Sequence, residues 1–347
     1  AGVLTGASLD ISGDIDVDGT TNLDVVDIDG AVDMATTLAV AGNVDFNGNL
    51  DVDGTTDLDG LTVAGNLSVD GGTIKLDGNF PTGTDNVALG NNTLNGSISG
   101  AGNIAIGDSV GSAITSGSNA VAIGRDALAG IYTGGDAIAI GRGALAALTS
   151  GNNNTAIGGL ALTANTTGAA NTAVGKGALA ANTTGASNTA IGDTALAVNT
   201  TGTSNVAVGH NALDANTEGL YNSALGGHAL GGNTTGDNNI SVGFNSSKNN
   251  TTGSNNVALG YVALSTNTTG SQNVAIGREA LEKNTTASNN TAVGYQALEE
   301  NTTGNNNVAV GYTAGAAVTT GVQNTLIGGL AGDALTDADY NTAVGYL

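Results

Sequence analysis

Two short stretches near the start of the chain could do chemistry with a metal. Asp14-Ile15-Asp16-Val17-Asp18-Gly19 and Asn49-Leu50-Asp51-Val52-Asp53-Gly54 both open like a calcium loop, D-x-[DN]-x-[DN]-G. The twelfth position of such a loop supplies a Glu, but Val25 and Gly60 stand there, and no helical pattern flanks either stretch. An outward acidic strand face is therefore the favoured reading. Calcium bridging these acidic N-terminal strands is the one cofactor expectation kept beside it; no other cofactor is expected. His210 and His228 have no third ligand at a spacing that suggests zinc and read as exposed side chains. Asn-Thr-Thr is a formal glycosylation sequon at Asn165, Asn182, Asn199 and Asn267, yet its regular return is already explained as turn chemistry. Ser, Thr and Asp are plentiful, but none departs from the surrounding pattern to form a nucleophile, base and orienting acid. No catalytic site and no enzyme are expected.

The elements that would position any such residue repeat strictly. From Gly90 to Gly345 a glycine recurs every 17 residues, in sixteen copies without a slip. The unit reads N-[TV]-A-[IV]-G-x-x-A-L-x-x-N-T-T-G-x-x, as in Asn171-Thr172-Ala173-Val174-Gly175 through Asn182-Thr183-Thr184-Gly185. Ile, Val or Leu precedes the glycine in every copy, and two residues earlier stands Thr, Ser, Val or Ile, so these two share one face of a strand. The residue between them is Ala except at Ser241 and Leu326, so both faces are expected to be buried. Ala-Leu, as at Ala161-Leu162, is expected to form a second short strand. Asn-Thr-Thr-Gly is expected to turn the chain, with Gly168, Gly185 and Gly202 at positive φ.

One coil of a β-solenoid accommodates such a unit, because parallel stacking sets like residues above like at about 4.8 Å, giving a rod of about 75 Å. Recurrent Asn before the strand and in the turn could then bond along ladders. The expected fold class is all-β: a fibrous β-solenoid or β-roll of sixteen 17-residue repeats over residues 81–347, forming a parallel homotrimer. Residues 1–80 differ. They carry half of the chain's 30 acidic residues, alternate apolar with acidic positions, and read as an acidic β-rich stalk or intertwined-strand segment. The only proline, Pro81, marks the boundary.

Composition narrows the partners. The 57 glycines, 3% aromatics and absent Trp suit many thin layers better than one thick core. A net charge of −23 repels nucleic acid and anionic membrane, and no apolar run is long enough for a spanning helix. No Cys is present, which excludes disulfides. The position after the repeat glycine varies and becomes aromatic toward the C-terminus: Phe244, Tyr261, Arg278, Tyr295, Tyr312 and Tyr346 should align along one edge. Such an edge could bind a surface glycan or a protein receptor; alternatively the rings stack on one another or fill a subunit seam.

The N-[TSV]-A-[IV]-G strand resembles the head repeat of trimeric autotransporter adhesins of the YadA type, and the whole unit with Asn-Thr-Thr-Gly is similar to shaft repeats of phage tail-fibre proteins. The resemblance covers residues 86–345. It implies trimers that bind cell surfaces, hence a virion tail-fibre shaft at a virion or extracellular location, with no nucleic acid bound and no membrane insertion. A bacterial or archaeal surface adhesin or extracellular filament is the second reading, and a carbohydrate-acting enzyme a distant third. The adhesin family also implies a coiled-coil stalk and a membrane barrel, whose patterns this sequence lacks. The repeat runs unchanged into Gly345-Tyr346, so an end-to-end neighbour or fibre continuation is expected against the last coil.

Overall fold

A computed structural model describes residues 85–95 and 98–346. The chain divides at residue 72 into Ala1–Gly72 and Thr73–Leu347, and all the described residues belong to the second unit. The acidic stretches, and with them the calcium and stalk expectations, lie outside the described residues.

Sixteen three-residue strands, from β1 (Val87–Leu89) to β16 (Thr342–Val344), form one sheet in which each strand pairs only with its neighbours in sequence. Pairing is parallel and shifts by one repeat, so Thr172, Ala173 and Val174 lie beside Thr189, Ala190 and Ile191. The result is a parallel β-solenoid of 17-residue coils, without a helix among the described residues. β-Branched residues hold most of the outer two positions of each strand, as in Thr172 and Val174 of Thr172–Val174, which suits a pleated surface.

The two faces of this sheet are unequal. The central alanine points inward and is fully buried in coil after coil, as at Ala139, Ala173, Ala190 and Ala207. Its two neighbours point outward and stay half-exposed, Ile191 at 41% and Leu225 at 50%. The expectation that both faces are buried thus holds only for the alanine face within one chain. Alanine suits the inside because the coil is thin and opposite it sits a buried leucine such as Leu162, Leu179 or Leu196; the fully buried Leu326 takes the alanine position only where Gly315 and Gly332 replace those leucines.

Those leucines do not lie on a second strand. Leu179 has φ 51° and Leu196 φ 53°, and the Ala-Leu segment forms two successive turns, closed by Ala178 N donating to Gly175 O at 3.4 Å and Asn182 N to Leu179 O at 3.1 Å. A left-handed Leu costs about 1–2 kcal/mol. Burying its side chain returns about 1.5–3 kcal/mol, and the turn aims that side chain at the alanines. Coil-to-coil bonding persists through the turn, with Leu179 N donating to Ala195 O at 3.0 Å.

Both recurring glycines are needed, for different reasons. All sixteen repeat glycines have φ between 116° and 146°, and a Cβ on Gly175 would lie 2.3 Å from the carbonyl oxygen of Gly192 one coil on. The turn glycines are not left-handed as expected; that conformation falls two residues later, on Ala170, Ser187 and Ser204. Gly185 is small because a Cβ there would lie 2.4 Å from Asn182 Oδ1 and 2.4 Å from Gly202 O.

Two buried asparagine ladders crowd that glycine. Asn182 donates to Asn165 Oδ1 at 2.8 Å and to Gly185 O at 2.9 Å, while Asn171, on the other ladder, donates to the same Gly185 O at 2.9 Å. Asn171 Oδ1 in turn accepts from Asn188 N at 3.0 Å. The thirsty carbonyls of a turn buried on its inner side are thereby satisfied without water. A third ladder runs through the first turn threonine, Thr183 Oγ1 donating to Thr200 O at 3.0 Å. The turn ladder spans Asn165 to Asn301 and ends against buried Leu148 on one side and Val318 on the other, leaving Asn301 Oδ1 without a partner.

Candidate functional site: an aromatic and cationic edge

The repeat glycine bends the chain sharply as it leaves the sheet, so the next side chain emerges at the same coil edge each time. Phe244, Tyr261, Arg278, Tyr295, Tyr312 and Tyr346 all occupy this edge. Phe244 and Tyr261 stack with centroids 6.0 Å apart and planes 14° from parallel, and Tyr295 and Tyr312 stack at 5.4 Å and 10°. Arg278 fills the gap between the pairs, its guanidinium carbon 5.6 Å from the Tyr261 centroid and 5.7 Å from that of Tyr295. One column therefore runs unbroken from Phe244 to Tyr312.

Where the position is glycine, the next ring lies down over it. A Cβ on Gly227 would meet the Phe244 ring at 3.3 Å, and one on Gly329 would meet Tyr346 at 3.3 Å. The column also extends backward through two residues read from the sequence as separate surface side chains. His228 stands edge-on to Phe244 at 6.1 Å and to His210 at 5.3 Å. The sequence carried a signal for this: Gly227 vacates the column position, and its immediate neighbour His228 takes it. Among the described residues no group of three ligands includes the two imidazoles; His210 Nε2 approaches Asp193 Oδ2 at 3.8 Å, and both imidazoles lie near the half-buried Asp214 carboxyl.

Stacking decides what the edge can offer. The faces of Tyr261, Tyr295 and their neighbours are turned toward one another or toward Arg278, leaving ring edges and phenol hydroxyls at the surface. Tyr312 is 59% exposed. A sugar ring lying flat on an aromatic needs a free face, and the interior members of this column present none.

Beside the column lies a group of carboxylates that the sequence reading did not single out. Arg278 donates to Glu279 Oε1 at 2.8 Å, and Gln296 donates to Glu279 Oε2 at 2.9 Å. Glu279, Glu282 and Glu299 bring one oxygen each within 4.8 Å of one another. Burial, and then the Glu279 charge, raises the Glu282 pKa; burial, and then the Glu282 and Glu300 charges, raises that of Glu299. Lys283 pairs with Glu300 across the coils. Three carboxylates are ligands of the kind a hard cation takes, and at one oxygen each they supply three of the six to eight that calcium collects from carboxylates, carbonyls and water together. Nothing in the repeat foretold the group, because it arises where two variable positions of one coil meet one of the next.

Two other chemical features find structural explanations. The sequon asparagines Asn165, Asn182, Asn199 and Asn267 are fully buried with their amide nitrogens bonded, so the folded coil closes them to modification. Tyr132 is fully buried with an unpartnered hydroxyl, and burial, aided by the Asp136 charge, pushes its pKa up to about 12. It stands one residue past the position where regular coils carry the turn asparagine, and its ring packs against Gly117. No helix among the described residues is long and apolar enough to cross a membrane. No protein-family model matches the chain, and no curated protein is significantly similar to it.

Proposed function

We propose that the chain is a structural shaft of the virion tail-fibre kind, working as a parallel homotrimer that holds an attachment element at a cell surface. The observation that carries this reading is the outer sheet face. Every strand turns two uncharged side chains outward, and those of β5 (Thr155–Ile157), β7 (Thr189–Ile191) and β15 (Thr325–Ile327) show how regular the stripe is. The stripe runs through all sixteen coils, with Ile191 41%, Val206 41%, Leu225 50% and Ile240 45% exposed, a contiguous run of a kind that isolated monomers rarely leave in water. A rod that presents such a face along its length is suited to lateral packing with identical rods. The threefold number follows the resemblance of the repeat to trimeric fibres.

A shaft also explains why chemistry is confined to edges. Coil follows coil in one register, which suits a part that transmits length and stiffness, and every charged side chain among the described residues lies outside the strands. Mass measurement in solution together with negative-stain imaging tests the proposal. Trimers with rod-like density are expected; a stable, soluble monomer would overturn it.

A further inference from the structure

Each coil sets one variable residue on either side of its strand. The exit position, just after the repeat glycine, carries the column of rings and Arg278. The entry position, five residues before that glycine, leads the chain into the strand with a left-handed residue, at φ 56° for Asp136, 56° for Tyr221 and 61° for Asn289. Both positions are exposed in most coils, and the whole strand lies between them. Their occupants nevertheless match coil by coil. Asp136 shares its coil with Arg142, which has no ion pair among the described residues. Tyr221 shares its coil with Gly227. In the five coils from Phe244 to Tyr312 every bulky exit residue is matched by an uncharged amide at entry, as Tyr295 is by Asn289. No coil carries like charges at both positions, and only the last, with Tyr340 and Tyr346, carries two rings.

Nothing inside one chain requires that match, but a cyclic assembly does. Rotation about an axis parallel to the rod keeps like coils at one height, and where the outer strand faces turn toward that axis, the exit edge of each chain meets the entry edge of the next. Arg142 then answers Asp136 of the next chain, a carboxylate that already accepts one bond within its own chain, from Asn119 Nδ2 at 3.2 Å. The column offers outward what its stacking leaves over, positive ring edges and phenol hydroxyls, and amide oxygens accept both. We propose that the exit column, from Arg142 to Tyr312, is a lateral seam that packs against the entry column of a second copy of this chain, parallel and with like coils level. The seam rests on the parallel assembly of the shaft and adds to it which edges meet and in what register.

The chain has no cysteine, so introduced thiols report without background. Ser187 and Asp193 hold the entry and exit positions of one coil, both exposed, and Ser187→Cys nearly keeps the side chain's size at its left-handed backbone. The full chain carrying Ser187→Cys with Asp193→Cys is treated at low concentration with a short bis-maleimide, beside a mass measurement without the reagent. Covalent trimers are expected from this pair. Either substitution alone should give no linked product, because an entry edge meets an exit edge and never its own kind. Ser187→Cys with Tyr312→Cys, seven coils or about 34 Å apart along the rod, should not link either. Trimers by mass that fail to link through the same-coil pair, that link equally through one substitution alone, or that link equally through the offset pair would overturn the seam and leave the shaft standing. Monomers by mass would overturn both.

Discussion

At the scale of single residues, the fold is held by groups that have no alternative. Asn199 donates to Asn182 Oδ1 at 2.8 Å and to Gly202 O at 3.0 Å, and accepts from Asn216 Nδ2 at 2.8 Å, all within a fully buried ladder. Asn199→Ala would leave Asn182 Oδ1 and one Asn216 amide hydrogen unsatisfied, although Gly202 O keeps its bond from Asn188 at 2.9 Å. At about 1–3 kcal/mol for each of the two buried unpaired groups, a loss of about 2–6 kcal/mol is expected in chemical denaturation. Thr201→Ala, at an exposed turn position of the same coil, should cost under about 0.5 kcal/mol and serves as the control. The repeat glycine is legible in the sequence because all sixteen copies keep it, and the asparagines because they return in long unbroken runs, in the turn from Asn165 to Asn301 with Leu148 and Val318 in that place beyond the ends. The left-handed leucines are not, since Leu is no turn former by propensity and adopts φ near 50° only because the coil interior rewards its burial.

At the scale of the coil, sequence pattern located the one true strand but mistook the Ala-Leu turns for another. Alternation cannot distinguish a two-residue apolar pair in a strand from one buried by a turn. The carboxylate cluster was hidden for a related reason: Glu279 and Glu282 of one coil meet Glu299 of the next, and that contact exists only after stacking. Its consequence is a pH dependence of known sign. Burial and like charges raise the folded-state pKa of Glu282 and Glu299, so the folded chain binds more protons than the unfolded chain in that range. Their contribution to stability is then fully present below the unfolded glutamate pKa and is lost as pH rises through the raised folded values. Compared at mildly acidic and neutral pH, the wild-type chain should lose more melting temperature on going to neutral pH than the Glu282→Gln, Glu299→Gln variant does. Identical pH profiles would show that these carboxylates are freely solvated.

At the scale of the whole rod, the decisive distinction is between the two sides of one strand. Ala190 and Ile191 are adjacent in sequence, yet Ala190 is fully buried in the coil while Ile191 is 41% exposed on the outer face. Ala190→Asp places an unpaired carboxylate in a layer too thin to hold water, at a cost of several kcal/mol, and interrupts stacking with the coils on both sides. Ile191→Asp leaves the coil interior untouched and sets a charge in the uncharged stripe, where it harms only contacts between chains. The first variant should therefore lose its β circular-dichroism signal or melt far below wild type. The second should keep the signal while its mass in solution falls toward that of one 33.3 kDa chain. If both variants unfold alike, the outer face is part of the coil's own stability. If Ile191→Asp changes neither fold nor mass, the stripe is not where the chains meet, and the lateral interface must lie on another side of the rod.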